Sequence, residues 1–296
     1  MAEVDLDRAG DFVWRNARLI DRLLFEQRFG GGSAEDVVHA LRAYQNDDGG
    51  FGNALEPDLR GPLSQPIHVD MAFRILNDIG VAPPELVARA CTYLSTVSGE
   101  GGGVPAILPN VVRYPRAEHW QPHAWIADAL NPTAMLAGLL HAMHVGHWWL
   151  DHADTFCWKR LGETKPSDGP ELAAVYCFLN HVPDRKRAVD VAEDIADAIL
   201  TAGFFALEPE DHTGEYALTP LHLAPSPDAM AGGLFAPELL DAHLDHLAGQ
   251  QQEDGGWPVT WDPPSEGSLL EWRGRLTVEA LMTLQNYGKV KDDSGG

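Results

Sequence analysis

The sequence predicts an all-α protein: an (α/α)5-6 toroid of helical hairpins, with apolar helices inside and amphipathic helices outside. Three observations lead there. Apolar residues recur at three-and-four spacing through most of the 296 residues, and convincing alternating strands are absent. A corner motif occurs twice, as QNDDGGFG at 45–52 and QQEDGGWP at 251–258. The segments after such corners repeat as well.

The outer helices are predicted from residues 12–29, 34–45, 83–97, 187–200 and 237–250, which carry a charged stripe opposite an apolar face. Pro83-Pro84-Glu85 and Pro237-Glu238 supply helix-start chemistry, because proline fits a first helical turn. The inner helices are predicted from PIHVDMAFRILNDIG at 66–80 and PTAMLAGLLHAMHVG at 132–146, each running from proline to glycine. Glycine at the end suits the left-handed turn that closes a helix. Residues 274–288 keep the register with Gly274 in place of the proline, and small residues coincide at Ala72, Gly138 and Ala280. Residues 169–183 form a looser fourth copy. These segments are apolar around most of their girth, so they are expected to be buried on all sides. Roughly eleven helices result, forming five hairpins plus an N-terminal helix. No linker-like shift in composition divides them, so residues 1–290 are expected to form one domain, with 291–296 a disordered tail.

The corners match position by position: Leu41, Gln45, Gly49 and Phe51 against Leu247, Gln251, Gly255 and Trp257. LSTVSGEGGGV at 94–104 keeps the spacing with Ser98 for glutamine and Val104 for the aromatic. Glutamine can bond exposed helix-end groups, glycine permits the reversal, and the aromatic seals the junction. Asp48 and Asp254 precede the glycines as turn formers.

Composition bounds the partners. With 21 basic and 44 acidic residues the formal charge is −23, which repels nucleic-acid phosphates and anionic lipid headgroups. No uncharged apolar run reaches the ~18 residues that a membrane span needs. The start of the chain lacks a signal-peptide core. Cys91, Cys157 and Cys177 have no CxxC spacing and fit buried thiols in a reducing cytoplasm. No metal or other cofactor is predicted, and the oligomeric state is left open.

The Gln-x3-Gly-x-aromatic corner resembles the QW-type repeat of squalene and terpene cyclases. Together with the 66–80 helix it also resembles the repeat of protein prenyltransferase β subunits. The resemblance spans about residues 34–290, more weakly over 147–235, and implies an α/α toroid with a central cavity that often binds isoprenoids. It does not carry the reaction over. There is no DxDD acid motif, no DDxxD magnesium motif, and none of the three cysteines follows an aspartate as the prenyltransferase zinc ligands do.

Candidate chemical groups lie downstream of the corners. ALEP occurs at 54–57 and 206–209, and PIHV at 66–69 resembles PLHL at 220–223. Glu56 is thereby paired with His68, and Glu208 with His222, and in a six-hairpin ring the pairs would face each other. Glu56 also aligns with Asp262 by spacing from the corner aromatic. Glu56, Asp58 and Asp262 are the expected proton donors, since a carboxylic acid among apolar walls holds its proton near neutrality. Loop bonding by the glutamates and helix capping by the histidines are the structural alternatives. The long 105–130 connection gathers Tyr114, His119, Trp120 and Trp125, suited to ligand contact or packing. Glu271, Trp272, Arg273 and Arg275 are expected at the entry to an inner helix. The two arginines, joined by Arg60 if the ring closes, could hold a phosphate or carboxylate there or pair with nearby acids, and Trp261 is a further candidate for substrate contact.

The leading functional reading is a terpene cyclase- or prenyltransferase-like protein. It would bind a mostly apolar, isoprenoid-like small molecule in an aromatic-lined cavity, with acid-initiated cyclisation as its chemistry if it is an enzyme. A glycoside hydrolase or polysaccharide lyase needs two carboxylates flanking a bond, which Glu56, Glu208 and Asp262 can supply. A non-catalytic toroid that binds a ligand or partner is the third reading.

Overall fold

A computed structural model describes residues 4–121, 128–200, 203–209 and 218–290, and within these the protein is all-helical, with twelve α-helices and only isolated β-bridges. In order they are α1 (Leu6–Asn16), α2 (Leu19–Phe25), α3 (Ala34–Arg42), α4 (Pro66–Asp78), α5 (Pro84–Val97), α6 (Leu130–Ala142), α7 (Trp148–Glu163), α8 (Gly169–His181), α9 (Arg185–Leu200), α10 (Pro220–Leu223), α11 (Pro237–Gly249) and α12 (Glu266–Asn286). The chain divides into two compact units, one of residues 38–198 and one of 1–37 with 199–296. The tail at 291–296 lies outside the described residues. No described helix is long and apolar enough to cross a membrane.

In the 38–198 unit the helices alternate between two layers. α4, α6 and α8 pack side by side, while α5 packs on α7 behind them. Every residue of α6 from Pro132 to Leu140 is buried, as its uninterrupted apolar sequence requires. α5 buries one face only, through Leu86, Val87, Ala90, Tyr93 and Leu94, at the spacing of an amphipathic helix. Gly138 explains how α6 and α8 approach so closely: a Cβ there would lie 2.6 Å from the Cys177 backbone. Burial pushes the thiols of Cys91 and Cys177 up to about 12, so neither is a ready nucleophile.

The unit of 1–37 and 199–296 has the same ingredients. α12 packs on α11, α1 and α2, and α10 packs on α11. The sequence predicts one helix over 12–29, but the backbone turns extended at Ala17 and Arg18. No glycine or proline marks that break. It is held by Arg22, whose Nε donates to the Ala17 carbonyl at 2.7 Å, and by the bidentate Arg18–Asp21 pair at 2.7 and 3.0 Å.

Three inner helices close alike. The amides of Val81, Val145 and Lys289 donate to the carbonyls of Leu76, Leu140 and Leu284, five residues back in each case. The left-handed positions are Gly80 (φ 66°), His144 (φ 55°) and Gly288 (φ 69°). Gly80 and Gly288 stand where the repeat predicts, whereas α6 turns two residues before Gly146. α12 departs at its other end, beginning at Glu266 behind a Ser265 cap rather than at Gly274.

The corners are one structure built three times. Gly49, Gly102 and Gly255 are left-handed, at φ 91°, 92° and 96°. Each lies against a backbone carbonyl of another helix, those of Arg89 in α5, His152 in α7 and Arg8 in α1. The next glycines, Gly50, Gly103 and Gly256, lie against Tyr93, Phe156 and Phe12, one helical turn further on. Gln45 Nε2 donates to Gly49 O and Leu86 O, and Gln251 Nε2 to Gly255 O and Asp5 O. Ser98 is too short for that reach, so the Trp149 indole N–H of α7 comes to its hydroxyl at 2.9 Å. The α11–α12 corner thus docks on α1, as the α3–α4 corner docks on α5 and the α5–α6 corner on α7.

Candidate functional site

The first corner leads into a loop, residues 53–65, with an unusual backbone. Asn53 and Ala54 are both left-handed (φ 58° and 59°), a conformation that costs a residue with a Cβ roughly 1–2 kcal/mol. Directly after them Glu56 and Asp58 are buried, at 4% and 1% exposure. The Glu56 amide donates to Nδ1 of His68, itself 1% exposed, at 2.9 Å. That bond makes Nδ1 an acceptor, which places the proton of a neutral imidazole on Nε2. His68 is the third residue of α4, so the loop is fastened to the start of an inner helix.

The long connection after α5 clasps this loop from the other side. Ala117 N–H donates to Asp58 O and Arg60 N–H to Pro115 O, at 2.9 and 3.0 Å. Gln65 spans both segments, donating to Asn110 Oδ1 and accepting the Leu108 amide, each at 2.6 Å. Leu59, Ile67, Ile107 and Val111 form the apolar floor, with Trp120 packed against it. A cavity of about 10 Å³ remains beside Arg60, Gln65, His68 and Tyr114. That is room for about one water, so the interior of this corner holds nothing larger. On the rim His119 is 52% exposed, 3.9 Å from the Asp58 carboxylate and 5.0 Å from the Trp120 ring.

Glu56, Asp58, Arg60, His68, Tyr114, His119 and Trp120 therefore come together in the 38–198 unit. Trp125 lies outside the described residues. The remaining candidates belong to the other unit. Glu208, His222 and Asp262 are all exposed there. His222 Nδ1 accepts the Thr219 amide at 3.0 Å in a capping box at the start of α10. Trp261 and Trp272 meet edge to face at 5.1 Å. Arg273 sits two turns inside α12, not at its start. Its guanidinium is held by both Asp254 oxygens at 2.8 and 2.7 Å and by Gln252, and it stacks over Phe12.

Sequence reasoning passes over Asp70 and Gln65. Asp70 is 4% exposed and bonds Arg74 at 2.9 Å. Its four-residue spacing to Arg74 in an otherwise apolar helix is the signal that could have found it. No group of three or more His, Cys, Asp or Glu side chains among the described residues is placed to hold a metal ion.

No protein-family model matches the chain, and no curated protein matches it. A solved crystal structure of a protein from Actinoplanes is similar to it, with a TM-score of 0.60 and 15% identity over 96% of this chain and 98% of that one. At that identity the likeness is one of fold alone.

Proposed function

We propose that the chain is an α/α toroid of five to six helical hairpins that binds a neutral, mostly apolar, isoprenoid-like small molecule at the corner formed by residues 53–68. That reading is supported by the paired helices and by the docking of the α11–α12 corner on α1, the same kind of contact that the other two corners make with α5 and α7. The site is carried by one observation: Glu56, Asp58 and His68 are buried together behind two left-handed residues, Asn53 and Ala54. Backbone strain and buried ionisable groups gather at functional sites. In this reading Glu56 and Asp58 are the buried carboxylates of the site, and Trp120 and Tyr114 shield the ligand. The formal charge of −23 disfavours a polyanionic ligand.

Native mass spectrometry of the purified chain tests the proposal, together with thermal stability in the presence of farnesol, farnesyl diphosphate and neutral oligosaccharides. A retained apolar molecule, and stabilisation by farnesol above the other two, is the expected result. Stabilisation by oligosaccharides alone would replace this reading with a glycan-active one. The water-sized cavity favours a second reading, binding without catalysis, which turnover of a retained ligand would exclude.

A further inference from the structure

The buried Asp58 carboxylate lies beside a half-exposed histidine, His119. The two loop segments around the pair are already joined by backbone bonds from Ala117 to Asp58 and from Arg60 to Pro115, and Trp120 closes a turn onto Ala117 within the second segment. Among the described residues, His119 adds no further hydrogen bond to that clasp. Its imidazole faces the carboxylate with Nε2 at 3.9 Å while half the side chain meets solvent. The neighbouring cation is otherwise engaged: the Arg116 guanidinium donates to the carbonyls of Trp120, Val112 and Tyr114 and to Gln121. A buried carboxylate behind a solvent-facing imidazole, with an aromatic wall at 5.0 Å, is an arrangement suited to proton exchange with a ligand.

We infer that His119 is the group that exchanges a proton with the bound ligand and that Asp58 is its positioning partner. The inference rests on reading the 53–68 corner as a ligand site. With the Nε2 proton turned toward Asp58, Nδ1 carries the lone pair. A ligand hydroxyl gives its proton to Nδ1, its oxygen keeps the bonding electrons, and the imidazolium is offset by the Asp58 carboxylate. Return of the proton restores both groups, with no oxidant or reductant involved. Burial lowers the His119 pKa and Asp58 opposes the fall, so the net shift leaves the ring neutral at physiological pH. The ligand class is thereby narrowed to molecules that join a hydroxyl to an apolar body.

The test is an NMR titration of the imidazoles in the full chain, with farnesol binding measured on the same samples. Asp58→Asn is expected to lower the His119 midpoint by at least about half a pH unit, or about threefold in proton affinity. His119→Gln alters an exposed side chain, so it keeps the test open even if Asp58→Asn fails to fold. It is expected to weaken farnesol at least about fivefold with an unchanged melting temperature. An unmoved His119 midpoint in Asp58→Asn would overturn the pairing. Unchanged farnesol affinity in His119→Gln would overturn the proton-exchange role while the ligand site stands. Failure of farnesol to bind the wild-type chain would overturn that role together with the ligand site, even with the two groups electrostatically coupled.

Discussion

The corners at 45–52 and 251–258 share a backbone but lead into different loops. Both turn on a left-handed glycine, and in both an aspartate carboxylate accepts the second glycine's amide, at 2.9 Å for Asp48 and 3.1 Å for Asp254. The other partners of those carboxylates differ. Asp48 accepts the Ser64 hydroxyl at 2.7 Å, whereas Asp254 holds the Arg273 guanidinium. The downstream loops differ more. The first corner runs into left-handed Asn53 and Ala54 and buried Glu56 and Asp58, the last into exposed Asp262. The motif itself is a joint, and the two corners differ in the dozen residues after it.

Breaking the joint gives the largest effects. A Cβ on Gly49 would lie 2.5 Å from the Arg89 carbonyl, and one on Gly255 would lie closer still to that of Arg8. Gly255→Ala and Gly49→Ala are each expected to destabilise by about 3 kcal/mol or more, read from denaturant unfolding. Gly102→Ala, at 2.9 Å from the His152 carbonyl, is expected to cost less. Gly146→Ala, with nothing within 4 Å and no left-handed backbone, is expected to change stability by under ~0.5 kcal/mol.

The carboxylates separate the two corners next. Asp254→Asn is expected to cost about 1 kcal/mol at neutral pH, a modest figure because the side chain is 51% exposed. The Arg273 hydrogen bond, the largest influence, holds this carboxyl below the ordinary range. Its folded pKa is depressed, so its contribution is full above the unfolded carboxylate pKa and is lost as pH falls through the folded value. The stability gap between wild type and Asp254→Asn should therefore close in acid. A gap that persists there would contradict the pairing. Asp48 bonds a hydroxyl where Asp254 bonds a guanidinium, so Asp48→Asn is expected to cost about half as much.

A comparably small effect of opposite sign tests the strain beside the candidate site. Ala54→Gly relieves a left-handed alanine and is expected to stabilise by about 0.5 kcal/mol, the gain being reduced by the entropy of glycine in the unfolded chain. A loss on thermal melting would show that the Ala54 methyl contributes more by packing than its backbone costs.

Much of the fold is legible in the sequence because it depends on local chemistry. Apolar girth marks α4 and α6 as buried, and the glutamine–glycine–aromatic spacing marks two corners at full length. Tertiary effects are not legible. The break between α1 and α2 carries no glycine or proline, and the side-chain bonds of Arg22 and Arg18 that hold it are short in sequence but look like ordinary helix-face pairs. In the corner at 98–104, Gly101 stands where the other corners have an aspartate, and the Asp128 side chain comes over Gly99 and Gly101 instead. The start of α12 is visible in Ser265, but the repeat register points to Gly274. At the site, the ALEP repeat marks Glu56 and Glu208 equally. Glu56 is buried and Glu208 exposed, because the Glu56 loop is clasped by the connection after α5.

A crystal structure of the chain grown with farnesol tests the central claim most directly. The alcohol is expected on the rim formed by Asp58, His119 and Trp120, with its hydroxyl within hydrogen-bond distance of the imidazole. Farnesol bound only beside Trp261 and Trp272, at the last corner, would contradict that claim.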